Sequence, residues 1–247
     1  MLGLGALTIA ISLTKFAYLP LAALVLLIPA SRLGGTGRYR AAMAALLAVN
    51  VAALAAWGSQ TGGLDTVVRP DSRISPRGQV NYLTAHPAAL ITVPARTFFH
   101  DGMFVLKSFV GRLGSVDIPL PVWLIAGYLA TMIAACRPSV VDPPPRLSRL
   151  AAVVLVVTIL SVAAIGFLNY IYWTPVGSPT VDGLQGRYLI PLAPAVLLLI
   201  RGLLWRLPRS QWDWATRRRM DAAAAGITAI AGVYTLAAVY VRYYGPG

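Results

Sequence analysis

The chain has 247 residues, of which 57% are hydrophobic and only 12% charged, with a mean hydropathy of +0.70. Soluble domains carry about 25% charged residues, so the composition excludes an ordinary soluble fold and points to an integral membrane protein. The net charge of +13 sits in short loops between apolar runs, where topology and lipid headgroups account for it better than nucleic acid does.

The lone Cys136 excludes an intrachain disulfide and a cysteine-rich metal site. His86 and His100 are the only histidines, so no cofactor is expected, and a divalent cation would find no ligand cluster. The N-terminus, Met-Leu-Gly-Leu-Gly-Ala, lacks the basic region and cleavage site of a signal peptide. It starts almost inside an apolar run, as a fragment of a longer protein would.

Residues 3–29 are long enough to cross a bilayer, but Lys15 sits mid-run and Pro20 follows it. They predict either one kinked helix or a half-helix ending near Lys15 and a second beginning at Tyr18. Lys15 reads either as a side chain snorkelling to an interface or as a cation facing an anionic ligand inside the bundle. After the basic loop 31–40, residues 41–57 form the next span and end at Trp57, an interface anchor.

The polar region 58–118 carries Asp65, Asp71, Asp101 and Asp117 among several arginines. Ser75-Pro76 reads as an N-cap and first helical position, predicting a short helix through about His86 that Pro87 stops. Over 97–112, Phe99, Met103, Leu106 and Val110 share one arc, while His100, Asp101, Lys107, Ser108 and Arg112 gather opposite it. This predicts an interfacial helix lying along the membrane surface. Further spans are expected at 119–136, 150–172, 188–205 and 221–241. The fold class is therefore all-α, a polytopic helical membrane protein with about six transmembrane helices plus short interfacial helices in 58–118. One integral-membrane domain over 1–247 is expected.

With the N-terminus outside, loops 31–40, 137–149 and 206–219 share one side and hold eleven arginines, whereas the opposite short loop 173–187 holds only Arg187. The basic side is cytoplasmic, so 58–118 and 173–187 are extracytoplasmic. No phosphate-binding glycine-lysine loop, zinc-protease helix or nucleophile elbow is present.

The stretch Tyr172–Pro191 is the one polar, turn-rich segment between long apolar runs, and Pro175, Gly177, Pro179 and Gly183 keep it from being helical. Gln185, Gly186 and Arg187 open the next helix, whose first N–H groups would be free beside the Arg187 guanidinium. That combination suits a phosphate. Arg187 also reads as a plain headgroup anchor. Asp182 is the catalytic candidate, as an acid or base or as a partner of Arg187; its alternative is Asp-Gly turn chemistry.

Four blocks carry a family resemblance: Lys15 with Tyr18 and Pro20; Gln79-Val-Asn-Tyr-Leu-Thr-Ala-His-Pro87; Phe109-Val-Gly-Arg-Leu-Gly-Ser-Val-Asp117 with Leu120-Pro121; and Tyr172-Trp-Thr-Pro-Val-Gly177 with Gly183-Leu-Gln-Gly-Arg-Tyr-Leu-Ile-Pro191. On these the chain resembles the bacterial multi-pass membrane proteins grouped as domain of unknown function 2142, matching their C-terminal half. That family in turn looks like a relative of membrane glycosyltransferases using polyprenyl-phosphate-linked sugars. The resemblance implies cell-envelope glycan assembly in the bacterial plasma membrane. It places the carrier phosphate and substrate near Arg187, Gln185, Gly186 and Lys15. It also implies that the catalytic carboxylate belongs to a missing N-terminal half, so that this chain alone is inactive and its partners are membrane lipids, the carrier and a separate chain supplying that half. Two rival readings are a transporter or flippase component, from the broken segments at 14–20 and 173–187, and a non-catalytic membrane scaffold.

Overall fold

The structure, a computed structural model, describes residues 2–61, 73–113, 117–136, 147–204 and 214–245. Asp65, Asp71, the Pro143–Pro145 run and most of the basic loop 206–219 lie outside the described residues. The α-helices are α1 (Leu2–Thr14), α2 (Thr36–Thr61), α3 (Pro76–Ala85), α4 (Ala89–Val110), α5 (Val122–Ala135), α6 (Leu147–Trp173), α7 (Ala193–Leu204) and α8 (Trp214–Tyr244). The 3₁₀ segments Phe16–Leu27, Ala30–Leu33 and Gly186–Leu192 stand between them, with a two-residue antiparallel pair, β1 (Arg112–Leu113) and β2 (Ile118–Pro119).

The all-α membrane class holds. Among the described residues, four helical stretches are long and apolar enough to cross a membrane: Thr36–Gln60, Leu147–Trp173, Gly186–Leu204 and Arg218–Tyr244. Large apolar side chains on them are solvent-exposed, Leu47 by 62% and Leu236 by 73%, as lipid-facing surfaces require. The other two expected spans come out shorter. Residues 3–29 break where Thr14 ends α1 and Lys15 turns extended, so the half-helix alternative applies; the second piece starts at Phe16 and is 3₁₀. The 119–136 run yields only the 14 residues of α5, because Pro119 lies in β2 and Pro121 caps the helix. Leu120 N–H meanwhile donates to the Gly111 carbonyl at 2.8 Å.

The chain divides into two compact units, Met1–His100 with Ser148–Leu184 and Asp101–Leu147 with Gln185–Gly247. In the first, α1 packs on α2 through a fully buried polar clamp. Ser12 Oγ donates to Asn50 Oδ1 at 2.8 Å, and Asn50 Nδ2 donates to Thr8 Oγ1 at 3.0 Å and to the Leu46 carbonyl at 2.8 Å. Such bonds hold helices together where lipid offers no hydrophobic drive. Arg149, at the start of α6, donates to Tyr39 Oη and the Leu26 carbonyl. Its guanidinium also lies over the Tyr39 ring. Leu150, Val154, Val157, Ser161 and Ile165 form one buried stripe along α6 at helical spacing.

Ser75 caps α3 as expected, its Oγ accepting from Gly78 N–H at 3.1 Å. On α4 the expected apolar arc stands outward, with Phe98 71% and Phe99 85% exposed. Ser108, expected on the solvated polar side, is instead buried.

In the second unit α5 packs on α8 around Leu120, Leu124 and Ala231. At Gly127 the helices come so close that a Cβ would lie 3.1 Å from Ile227.

Candidate functional site

The segment 174–191 is built differently in its two parts. In the first unit, residues 174–184 are irregular, and their amides are taken by side chains. Gly177 N–H donates to Oε1 of the fully buried Gln79 at 3.1 Å. Val181 N–H donates to Thr97 Oγ1 at 2.9 Å, and Asp182 N–H to Thr174 Oγ1 at 3.0 Å. Tyr170 Oη donates to the Ser178 carbonyl at 2.9 Å. Gly177 has φ +76, and a Cβ there would press on the Tyr82 ring at 3.3 Å. The block containing Gln79 thus grips the block ending at Gly177.

Asp182 is exposed and sits in a turn with Gly183, whose φ is +72. That is the Asp-Gly turn role named above as its alternative. Lys15, in the same unit, is half-buried in extended backbone.

Gln185, Gly186 and Arg187 belong to the second unit. Gln185 is the N-cap residue of the Gly186–Leu192 segment and makes no capping bond; its Oε1 is buried without a hydrogen-bond partner. Gly186 is buried, and its N–H donates to Ser108 Oγ at 2.8 Å, while that hydroxyl donates to the Val105 carbonyl at 3.2 Å. The expectation of free amides at the start of this helix is corrected here: the helix opens as a seven-residue 3₁₀ turn and the Gly186 amide is already engaged. A Cβ at Gly186 would collide with the Val105 carbonyl and the Phe109 backbone. Glycine is therefore needed there for close approach to α4.

Arg187 lines a cleft of about 210 Å³ with Phe109, Arg112, Leu120, Tyr128, Ile190 and Thr235. Most of the wall is apolar, and the two cationic side chains are Arg112 and Arg187. The Arg112 guanidinium lies 5.3 Å from the centre of the Phe104 ring, a cation–π contact that restrains it. Thr235 Oγ1, from α8, is buried without a hydrogen-bond partner. The sequence puts Arg112 only on the polar side of a surface helix. Its place beside Arg187 comes from the turn into β1, and no local pattern announces that.

Asp117 closes the far end of this hairpin. It accepts from Arg242 Nε at 3.2 Å and from Tyr243 Oη at 3.2 Å. Partial desolvation raises its pKa, but a backbone hydrogen bond at Asp117, Arg242 and Tyr243 together bring it below the ordinary 3.8. Among the described residues no three His, Cys, Asp or Glu side chains gather as a metal site would require.

No curated protein and no solved structure matches this sequence. The family model described as "Predicted membrane protein (DUF2142)" matches residues 1–196, well over half of the chain, and the chain belongs to that family.

Proposed function

We propose that this chain is a membrane glycosyltransferase-like protein of cell-envelope glycan assembly. In this reading the second unit holds the phosphate head of a polyprenyl-phosphate-linked sugar at the extracytoplasmic surface of a bacterial plasma membrane. The observation that carries it is Arg187 on a cleft with otherwise largely apolar walls and a second arginine, Arg112. A guanidinium binds phosphate by paired charge-assisted hydrogen bonds. Apolar walls such as Phe109, Leu120 and Ile190 suit isoprenoid chain, while Arg187 itself is exposed, where a headgroup phosphate would meet it. Gln185, next to Arg187, adds a buried carbonyl oxygen that still lacks a donor, which a sugar hydroxyl would supply. Gly186 contributes by fixing the segment, since its own amide is engaged.

Deprotonating an acceptor needs a base near the ligand. Asp182, held in a turn, is a weak candidate for it. Following the family resemblance, the reading assigns the catalytic carboxylate to a separate chain and regards this one as a binding half.

The test is binding of polyprenyl phosphate to the purified chain in lipid nanodiscs, followed by native mass spectrometry. Losing the charge-assisted pair should weaken binding in Arg187→Ala roughly ten- to a hundredfold, with the melting transition unchanged. Wild-type affinity in that variant would sink the reading.

One observation favours a transporter instead: α1 breaks at Thr14 and leaves Lys15 extended, as discontinuous helices do around a midplane site. Labelling of Lys15→Cys by impermeant thiol reagents from both membrane faces would support transport, and labelling from one face only would exclude it.

A further inference from the structure

We infer that Arg32, Arg38, Arg40 and Arg149 form a binding site for the headgroup of an anionic phospholipid, at the membrane face from which α2 and α6 start. The site lies wholly in the first unit and is independent of the Arg187 cleft, which belongs to the second. Three elements meet there. Tyr39 Oη, from the first turn of α2, donates at 3.1 Å to the Leu26 carbonyl near the end of the Phe16–Leu27 segment. Arg149, in the first turn of α6, donates to that same carbonyl and, at 3.0 Å, to Tyr39 Oη, both times through Nη2. Arg38 is placed by Gly34, which has a φ of +78 and no side chain to hold the guanidinium away. A Cβ there would stand 3.0 Å from Arg38 Nη1. Arg32 and Arg40 flank this turn, and all four arginines are exposed.

Among the described residues of this unit the only acidic side chain is Asp182, and residues 1–64 and 148–181 contain no Asp or Glu. The Asp182 amide donates to Thr174, just past the end of α6, whereas Arg149 stands at the start of that 27-residue helix. The two are therefore about 40 Å apart. Arginine in a first turn is also disfavoured, because the partial charge at a helix start is positive. Arg38 and Arg40 open α2 and Arg149 opens α6, with no acid in either first turn. Cations gathered against that preference mark a functional position, and an anion supplied from outside the chain relieves the cost. The anion is assigned to a lipid by the surfaces that follow the arginines. Leu47 on α2 and Leu155 and Val156 on α6 are exposed, and they lie about 10 Å further along their helices. A phosphate held by the guanidinium forks thus stands at the head of a surface made for acyl chains.

The experiment is native mass spectrometry of the full chain released from nanodiscs of equal parts phosphatidylglycerol and phosphatidylcholine, with the retained lipids counted. Wild type should retain phosphatidylglycerol over phosphatidylcholine roughly tenfold or more. At about fivefold for each arginine beside a charged headgroup, Arg38→Gln with Arg40→Gln should abolish that preference. Arg32→Gln alone should weaken it about fivefold, and an unchanged melting midpoint in that variant shows that lipid is lost without loss of fold. Arg38→Lys with Arg40→Lys should keep part of the preference, since lysine restores the charge without the fork. Arg218→Gln with Arg219→Gln removes two exposed arginines from the second unit and should leave the preference intact. An equal loss in that control pair overturns the inference, because surface charge anywhere then suffices. Full retention in both Arg32→Gln and the Arg38, Arg40 glutamine pair overturns it as well. Loss in Arg187→Ala alone moves the lipid to the cleft, which overturns this site and leaves the carrier-phosphate reading standing. Competition by glycerol 1-phosphate as strong as that by phosphatidylglycerol overturns the assignment to a lipid.

Discussion

Gly186→Ala tests how the cleft segment is held. The added methyl would meet backbone atoms, the Val105 carbonyl and the Phe109 main chain, and no flexible side chain stands there to yield. The φ of Gly186 is not positive, so steric contact alone produces the penalty. Overpacking of this kind costs about 1–3 kcal/mol. Relief by displacement would stretch the 2.8 Å bond from Gly186 N–H to Ser108 Oγ and strand a buried donor, for a further cost of about 1–3 kcal/mol. Ser108→Ala removes the same bond without crowding, so it should cost only the second amount. Because the bond can be lost once, the double variant should be less destabilised than the two single changes added together. The assay is thermal unfolding in detergent followed by circular dichroism, where 1 kcal/mol corresponds to roughly 2–4 °C for a chain of this size. Gly186→Ala should exceed that shift and also weaken polyprenyl-phosphate binding through Arg187. A midpoint equal to wild type for Gly186→Ala would refute the close approach to α4.

Two further outcomes follow from the same two units. Gly177→Ala forces a left-handed residue to carry a Cβ against the Tyr82 ring at 3.3 Å; it should destabilise by about 1–2 kcal/mol and expose the Gly177 amide to faster hydrogen exchange. The folded-state pKa of Asp117 is lowered, so the stabilisation it gives is fully present above the ordinary carboxylate range and is lost as the pH falls below it. Asp117→Asn should flatten the acid side of the melting-temperature profile, and a profile unchanged by that substitution would show that the contacts of Asp117 with Arg242 and Tyr243 contribute nothing.

Hydropathy made the membrane class legible, because runs such as 150–172 admit no soluble alternative. The Ser75-Pro76 start of α3, the break at Lys15 and the outward arc of α4 were also legible, since each follows from residues a few positions apart. Span lengths were less so. Proline at 119 and 121 redirects the start of an apolar run into a strand pair, and hydropathy does not register that diversion. At Asp182 the Asp-Gly turn was legible from the dipeptide itself, and the positive φ of Gly183 bears that out. Arg112 could not be found beside Arg187 at all. Residues 75 positions apart in sequence share that cleft, as Ser108 and Gly186, 78 apart, share a hydrogen bond, and no periodicity encodes such contacts.

The two units nevertheless solve one problem in the same way. The stretch 174–187 is too rich in proline and glycine to satisfy its own amides by helix formation, and unpaired amides near a bilayer are costly. In the first unit Gln79 and Thr97 accept from Gly177 and Val181; in the second Ser108 accepts from Gly186. Each acceptor lies in the 73–113 region, within or close to the sequence blocks that mark the family. Gln79, inside one of those blocks, is thus explained as a polar side chain that lets an irregular backbone exist among membrane helices. Arg112 and Arg187 both line the cleft. A phosphate-binding function should therefore be sought at these two arginines, and substitutions at Gln79, Thr97 or Ser108 should be read first through stability.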